Sequence, residues 1–176
     1  MEKIFYAERS AYPTSEHAVK RVFEKRFSLS EATIVRNENG KPFLENGGEY
    51  SLFFSVTHTA DMLYIAVSDE NVGIDAESLS RMPDFLPIVK KFDAEERAKI
   101  RSTSDFLYHW TAKESAVKWL GGSIARDLFK LRYVKEKIYY GEIELPAKLV
   151  FFKRNGILIA VCGERDFSNA EFIDIG

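Results

Sequence analysis

Two carboxylates stand close together in a short segment rich in β-branched and small residues, at positions 72–77. Because alternate side chains of a β-strand leave the same face, Asp75 and Glu77 would lie about 7 Å apart on one face, with Ala76 on the other. Two such carboxylates repel one another unless water solvates them or a cation lies between them. A hard cation such as Mg²⁺ suits the pair, because it takes oxygen ligands and keeps places for water and phosphate oxygens. The competing interpretation is the solvent-facing side of an ordinary strand.

Another acid and a base stand four residues apart further along the chain. Glu114 and Lys118 would be neighbours on one helix surface, where such a pair commonly stabilises the helix by only about 0.2–0.5 kcal/mol. Trp110 lies one turn earlier on the same stripe, so the stripe is not simply a solvated face. An acid and a base beside an aromatic ring can also line a site. The residues alone leave both interpretations open.

Two shorter segments have the chemistry to bind an anion or a nucleotide. His58 follows a predicted strand in Val56-Thr57-His58-Thr59, where an imidazole and two hydroxyls can hold an anion. A solvated loop histidine is the competing interpretation. Gly40-Lys41-Pro42 is typical of a turn that exposes Lys41 on a stiff backbone, and turn chemistry alone explains it.

Taken together and in order, these segments resemble the 4′-phosphopantetheinyl transferases, specifically the single-chain, surfactin-synthetase-activating type. The four segments are Gly40-Lys41-Pro42, Phe54-Ser55-Val56-Thr57-His58-Thr59, Val72-Gly73-Ile74-Asp75-Ala76-Glu77 and Trp110-Thr111-Ala112-Lys113-Glu114-Ser115-Ala116-Val117-Lys118. The last two are specific to the family, which has G-[IV]-D-x-E followed by W-[ST]-x-K-E-[SA]-x-x-K. The first two are supporting evidence. The resemblance covers about residues 16–162.

The resemblance implies an activity and a metal site. Enzymes of this family move the phosphopantetheine arm of coenzyme A onto a serine hydroxyl of an acyl or peptidyl carrier protein, and they release adenosine 3′,5′-bisphosphate. By this resemblance, Asp75, Glu77 and Glu114 would hold Mg²⁺ together with the coenzyme A pyrophosphate. Glu114 would also act as general base, and Lys118 would stabilise or protonate the departing phosphate.

The resemblance also implies a coenzyme A site. Its residues would be Lys41, Pro42, Thr57, His58, Asp75, Lys113 and Lys118. Within this set, Thr57 and His58 correspond to the pair that holds the 3′-phosphate, and Lys41 and Pro42 to the loop against the adenine. Lys113 would add positive charge around the phosphates.

Helical periodicity predicts the elements that must carry the second acid–base pair. Apolar residues at 3.6-residue spacing predict a helix over residues 105–120. Ser104 is placed to cap its start, and Gly121-Gly122 to end it. A shorter helix would open at Asp93, with Glu96 three residues later as an Asp variant of the capping box. Another amphipathic helix is predicted over residues 16–27.

Strand patterns fill much of the rest of the chain. Three short segments predict an antiparallel meander, at residues 50–56, 62–67 and 71–77. Asn155-Gly156 predicts a tight turn between two further strands, at residues 148–152 and 157–162. Three short apolar segments within residues 52–75 are matched in the same order by similar segments within residues 150–174, which gives weak support for an ancient duplication.

These elements predict an α+β fold of two pseudo-symmetric halves, each a small antiparallel sheet packed around a helix, as the family resemblance also implies. We place the halves at residues 1–70, with the adenine and 3′-phosphate side, and 71–176, with the metal and catalytic motifs. A fused pair of halves needs no second chain, so a monomer is expected. Fewer than forty residues precede Gly40, which is short for the family. The basic residues that usually help to hold the coenzyme phosphates from this region have no clear counterpart. Lys20 and Arg21 on the first predicted helix are candidates, and a solvated helix face is the competing interpretation.

Composition limits the environment of the protein. The chain has 176 residues, with 25 Lys and Arg against 27 Asp and Glu, so its net charge of −2 gives no reason to expect a nucleic-acid partner. Its single cysteine, Cys162, cannot form an intramolecular disulfide, which fits the reducing cytoplasm. No apolar stretch has the length of a membrane span and the first residues do not resemble a signal peptide, so no membrane association is expected.

Two other functions remain open from the sequence. The chain could be a coenzyme A or carrier-protein-binding module whose catalysis has decayed through its short first half. It could also be a nucleotide-binding regulator that uses the same phosphate contacts without a protein substrate. The presence of Asp75, Glu77, Glu114 and Lys118 argues against decay, because a binding module has no need of that set.

Overall fold

The computed structural model describes residues 1–45 and 47–176, and within them it places twelve strands and six α-helices. The first half contains five strands and two helices, in the order β1 (Lys3–Glu8), α1 (Ser15–Phe27), β2 (Ile34–Arg36), β3 (Pro42–Leu44), α2 (Gly47–Tyr50), β4 (Phe53–Thr59) and β5 (Met62–Ser68). A four-stranded sheet forms from β1, β4, β5 and a last strand, β12 (Glu171–Asp174), in the order β12-β1-β5-β4. Helix α1 packs on this sheet through buried residues such as Val19 and Phe23.

The second half repeats this arrangement in a longer form. Its elements are β6 (Val72–Ser78), α3 (Leu86–Val89), α4 (Ala94–Lys99), α5 (Thr103–Leu120), α6 (Ile124–Asp127), β7 (Leu131–Val134), β8 (Lys137–Tyr140), β9 (Ile143–Glu144), β10 (Lys148–Arg154) and β11 (Ile157–Gly163). A three-stranded sheet has the order β10-β11-β6, and a smaller one has the order β7-β8-β9. Helix α5 lies against β6 and β11.

Both halves therefore run from a strand through a helix and a small hairpin to a longer hairpin. The predicted α+β class is confirmed. The three pairs of similar segments lie on β4 and β10, on β5 and β11, and on β6 and β12. The proposed boundary after residue 70 falls in the turn between β5 and β6. Strand β12, however, returns to the first sheet and pairs in parallel with β1, so the two sheets do not divide the chain at that point.

The long helix has strong signals at both ends. The side chain of Ser102 accepts a hydrogen bond from the backbone N–H of Asp105, so Ser102 is the N-cap and the predicted Ser104 is not. At the other end Gly121 has φ 66°, a left-handed conformation that glycine adopts without the steric cost of a Cβ atom. The Asn155-Gly156 turn joins β10 to β11 as predicted, with both residues at positive φ.

The predicted meander is wrong in its third strand. Strand β6 pairs antiparallel with β11, with Ala160 opposite Asp75, and it does not pair with β5. The reason is that β5 already has β1 on one edge and β4 on the other, so no edge is left for β6. The first predicted strand also begins too early, because Tyr50 ends α2.

A glycine allows β6 to approach α5 closely. A Cβ atom at Gly73 would overlap the backbone carbonyl oxygen of Ser115 and the backbone nitrogen of Trp119. Gly73 shares a strand face with Asp75 and Glu77, because it is two and four residues away from them. The missing side chain at this position therefore sets how near the carboxylates of the strand lie to the helix.

Replacing Gly73 with Ala is expected to lower the free energy of unfolding by about 3 kcal/mol, because backbone on both sides must move to admit the methyl group. Gly163→Ala on the neighbouring strand is the matched control. Its Cβ would meet Asn71 O at an ordinary 3.4 Å, and a loss below about 1 kcal/mol is expected. Urea unfolding of the two variants measures the difference, and equal losses would contradict the close approach.

Candidate functional site

Asp75 lies at the centre of a buried polar cluster between the two halves. Its Oδ1 atom accepts hydrogen bonds from Thr57 Oγ1 on β4, at 3.1 Å, and from Lys118 Nζ on α5, at 2.8 Å. Its residue surface is only 3% exposed, yet its Oδ2 atom has no hydrogen-bond partner among the described residues. A buried carboxylate oxygen without a partner is costly, so this atom is placed to contact a ligand.

Glu114 lies one helical turn before Lys118 and adds a second negative charge to the cluster. The pKa of Glu114 is raised to about 8, first by burial and then by the nearby negative charge of Asp75. Lys118 opposes this effect, because its positive charge favours the ionised carboxylate. The strand and the helix thus bring together an acid, a carboxylate and an ammonium group, as the sequence predicted for their two motifs.

The third predicted carboxylate, Glu77, lies at the outer side of the cluster and forms an ion pair with Arg81. Arg81 was not singled out in the sequence. The available signal was the spacing of four residues between an acid and an arginine just beyond a strand. The sequence did not predict that the chain turns at this point and folds Arg81 back over the cluster.

The residues of this cluster fit a hard divalent cation in their chemistry. The charges of Asp75, Glu77 and Glu114 all act on the same guanidinium, that of Arg81, so the three carboxylates lie near one another. The Oδ2 atom of buried Asp75 has no hydrogen-bond partner among the described residues and can serve as a ligand atom. Across residues 1–45 and 47–176 the side chains do not converge on one point as a formed metal site. Arg81 contacts Glu77, and both Lys118 and Thr57 contact Asp75.

The raised pKa of Glu114 predicts a pH-dependent stability. In the unfolded chain the carboxyl ionises near 4.5, whereas in the folded protein it keeps its proton up to about pH 8. Its contribution to stability is therefore fully present below about pH 4.5 and is lost as the pH rises towards 8. In EDTA, Glu114→Gln should gain stability relative to the parent between pH 5 and pH 8.5, by at least about 1.4 kcal/mol, which equals one pKa unit.

Urea unfolding at several pH values measures this difference, and all other titrating groups are common to the two proteins. A difference that stays constant across the range would contradict the assigned environment of Glu114.

A cleft of about 290 Å³ lies beside the cluster, and Lys41, Pro42, Val56 and Lys118 contribute to its lining. Lys41 is not exposed on a free turn. Its Nζ atom donates to Asn71 Oδ1 at 3.0 Å and lies 3.4 Å from the carbonyl oxygen of Val72, and burial lowers the pKa of Lys41 to about 8. The structure therefore brings Lys41, Pro42 and Lys118 to one cleft.

The two predicted anion-binding residues of β4 point to different sides of the strand. Thr57 is buried and faces Asp75, whereas His58 is exposed and, as the next residue of the strand, leaves the opposite face. The hydroxyl of Thr57 is already committed to Asp75. Its observed contact therefore orients that carboxylate.

Lys113 does not join the cluster, so its predicted place beside the coenzyme phosphates is corrected. Its side chain is 0% exposed and its Nζ atom pairs with Glu96 Oε2 at 3.0 Å, directly above the Phe92 ring. The other Glu96 oxygen accepts from the backbone N–H of Tyr133, so Glu96 does not complete the capping box predicted at Asp93. One residue along a helix turns the side chain by about 100°, which sends Lys113 and Glu114 to different sides of α5.

Removing Lys113 should therefore damage the fold. Lys113→Met is expected to lose about 3–5 kcal/mol of unfolding free energy, because Glu96 would be left as a buried charge without its partner. The double variant Glu96→Gln/Lys113→Met should recover much of this loss, since it removes both charges.

Lys99→Met, which breaks an exposed ion pair with Glu95, is the control and should change stability by less than about 1 kcal/mol. Thermal and urea unfolding provide the comparison. Equal stability of Lys113→Met and Lys99→Met would contradict the buried pair.

The sequence of this chain is similar to known proteins. Residues 71–153 match the model of the 4′-phosphopantetheinyl transferase superfamily. The chain is similar to the 4′-phosphopantetheinyl transferase gsp of Aneurinibacillus migulanus, with 31% identity over 93 residues that cover 49% of this chain and 37% of the relative. It is also similar to the L-aminoadipate-semialdehyde dehydrogenase-phosphopantetheinyl transferase of Mus musculus, with 32% identity over 117 residues, 57% of this chain and 38% of the relative.

A longer match is found with the 4′-phosphopantetheinyl transferase of Bacillus subtilis. It has 26% identity over 155 residues, which cover 81% of this chain and 66% of the relative. The matches to the first two relatives cover less than two-fifths of their length. Among the described residues, no helix has the combined length and apolar character that crossing a bilayer requires.

Proposed function

We propose that this chain, whose residues 71–153 belong to the 4′-phosphopantetheinyl transferase superfamily, transfers the 4′-phosphopantetheine arm of coenzyme A to a serine hydroxyl of a carrier protein. The observation that carries the proposal is the unpartnered Oδ2 atom of buried Asp75, in a cluster that also holds Glu114 and Lys118. This cluster borders the cleft that contains Lys41 and Pro42. A carboxylate cluster beside a cleft with lysines suits a pyrophosphate together with a divalent cation.

Asp75, Glu77 and Glu114 would hold Mg²⁺ in this reaction. When bound, the cation supplies positive charge that offsets the charge of the pyrophosphate and favours the ionised form of the carboxylates. Thr57 and Lys118 both donate to Oδ1 of Asp75, which leaves Oδ2 for the cation. Glu77 is the carboxylate most easily freed for the cation, because its present partner, Arg81, is half-exposed.

Glu114 would remove the proton from the serine hydroxyl of the carrier protein. The serine oxygen would then attack the phosphorus atom next to pantetheine. With the cation bound, the carboxylate of Glu114 would be ionised and able to accept this proton. The bond from that phosphorus to the bridging oxygen breaks, and adenosine 3′,5′-bisphosphate leaves. Lys118, whose Nζ atom already lies in the cluster, would stabilise or protonate the leaving phosphate oxygen.

The remaining coenzyme contacts would come from the first half of the chain. Lys41 and Pro42 would lie against the adenine, and exposed His58 would contact the 3′-phosphate. Thr57 would contact the 3′-phosphate only if its hydroxyl gave up its hydrogen bond to Asp75.

The finer assignments follow from the same resemblance. We place the chain with the single-chain, surfactin-synthetase-activating type. We expect a monomer in the cytoplasm that acts on an acyl or peptidyl carrier protein.

The direct test is the intact mass of an apo acyl carrier protein after incubation with this protein, coenzyme A and Mg²⁺. A gain of one phosphopantetheine group, roughly 340 Da, is expected, and EDTA should abolish it. Glu114→Gln should lower the rate at least about 100-fold, because it removes both the base and one metal ligand.

Lys99→Met is the control, since its exposed ion pair lies on another helix, and it should keep the parental rate. No mass gain on several acyl and peptidyl carrier proteins, with coenzyme A still bound, would contradict the proposal. That result would support the alternative, a coenzyme A or carrier-protein-binding module without catalysis.

A further inference from the structure

Arg81 belongs to none of the segments that carry the proposed reaction. It lies in the turn that follows β6, where its backbone N–H donates to the carbonyl oxygen of Ser78 at 3.0 Å. This turn directs the side chain back along the strand, and Nη1 of the guanidinium pairs with Glu77 Oε1. The Arg81 side chain is 52% exposed, whereas that of Glu77 is 11% exposed. A half-exposed cation therefore covers a nearly buried carboxylate.

The guanidinium also lies in the field of the whole cluster. The pKa of Arg81 is raised, first by its hydrogen bond to Glu77 and then by the charges of Glu77, Glu114 and Asp75. Lys118 is the other cation of this cluster, and it contacts Asp75 on the side away from Glu77's partner. Two cations therefore compensate the charge of the three acidic groups. One is a lysine on α5, and the other is an arginine whose side chain can turn out into solvent.

The two cations differ in how far they can move. Lys118 lies in the last turn of α5, and its side chain is 24% exposed. Arg81 follows a strand end and its side chain is more than twice as exposed. Because the Arg81 side chain is half-exposed, solvent screens its pair with Glu77, and an ion of higher charge can displace the arginine.

We infer that Arg81 is a displaceable counter-ion of this site: its guanidinium neutralises Glu77 and competes with the divalent cation for the same carboxylate oxygen. This inference rests on the proposed function, because it takes the cluster as the cation site of that reaction. Binding of the cation then requires Arg81 to swing outwards. Arg81 therefore lowers cation affinity and holds the carboxylates together when the cation concentration is low.

The test is direct binding of Mn²⁺, a hard cation that oxygen ligands also hold, measured by electron paramagnetic resonance of the free ion. The full chain and four variants are compared at low ionic strength. Arg81→Gln removes the competing charge and keeps a side chain of similar length. Arg165→Gln is the matched control, because Arg165 is similarly exposed and also pairs with a glutamate, Glu70.

Arg81→Lys keeps the charge without the planar fork, and Glu77→Gln removes the shared carboxylate. Arg81→Gln is expected to bind Mn²⁺ about two- to five-fold more tightly than the parent, the factor that loss of a weak ion pair allows. Arg165→Gln should match the parent, Arg81→Lys should lie between the parent and Arg81→Gln, and Glu77→Gln should bind at least about ten-fold more weakly. Thermal unfolding adds a second measurement, in which Mn²⁺ should raise the Tm of Arg81→Gln more than that of the parent.

Equal or weaker Mn²⁺ binding by Arg81→Gln would overturn the inference. If Glu77→Gln still weakened binding in that case, the cation site of the proposed function would stand and only the competition would fail. If neither the parent nor Arg81→Gln bound Mn²⁺, the inference would fall together with the cation site on which it rests.

Discussion

The contact between β6 and α5 at Gly73 determines the geometry of the whole site. Side chains on a strand and on a helix normally keep the two backbones well apart, but here the strand presents a glycine to the helix backbone. The next two positions on the same strand face carry Asp75 and Glu77, and the helix carries Glu114 and Lys118. A strand and a helix that belong to distant parts of the sequence can therefore place charged groups within hydrogen-bond distance, as the 2.8 Å contact from Lys118 to Asp75 illustrates.

Close approach brings an electrostatic cost that the rest of the structure balances. Several carboxylates in a poorly solvated space raise the pKa of Glu114, and only Lys118 and Arg81 supply positive charge nearby. The opposite side of α5 is fixed by the buried pair of Lys113 and Glu96. This pair ties α5 to α4, and through the backbone of Tyr133 to β7, so the helix cannot rotate to relieve the repulsion. These contacts hold α5 in place and keep the acidic groups of the site close together.

Local patterns in the sequence predicted much of this arrangement. The alternation of a strand placed Asp75 and Glu77 on one face, helical spacing placed Glu114 beside Lys118, and Asn155-Gly156 located a hairpin correctly. What the sequence did not reveal depends on distant partners. The pairing of β6 with β11 follows from the occupied edges of β5. The burial of Lys113 follows from the position of Glu96 seventeen residues away, and the placement of Arg81 follows from a turn.

The central claim is that Asp75, Glu77 and Glu114 together hold a divalent cation against the pyrophosphate of coenzyme A. The most direct test is a crystal structure of the protein grown with coenzyme A and Mn²⁺, in which anomalous scattering locates the metal. We expect one anomalous peak within coordination distance of Asp75 Oδ2 and of a coenzyme A pyrophosphate oxygen, with Arg81 turned away from Glu77. A coenzyme bound in the cleft with the metal elsewhere, or with Asp75 Oδ2 still without a partner, would contradict the account.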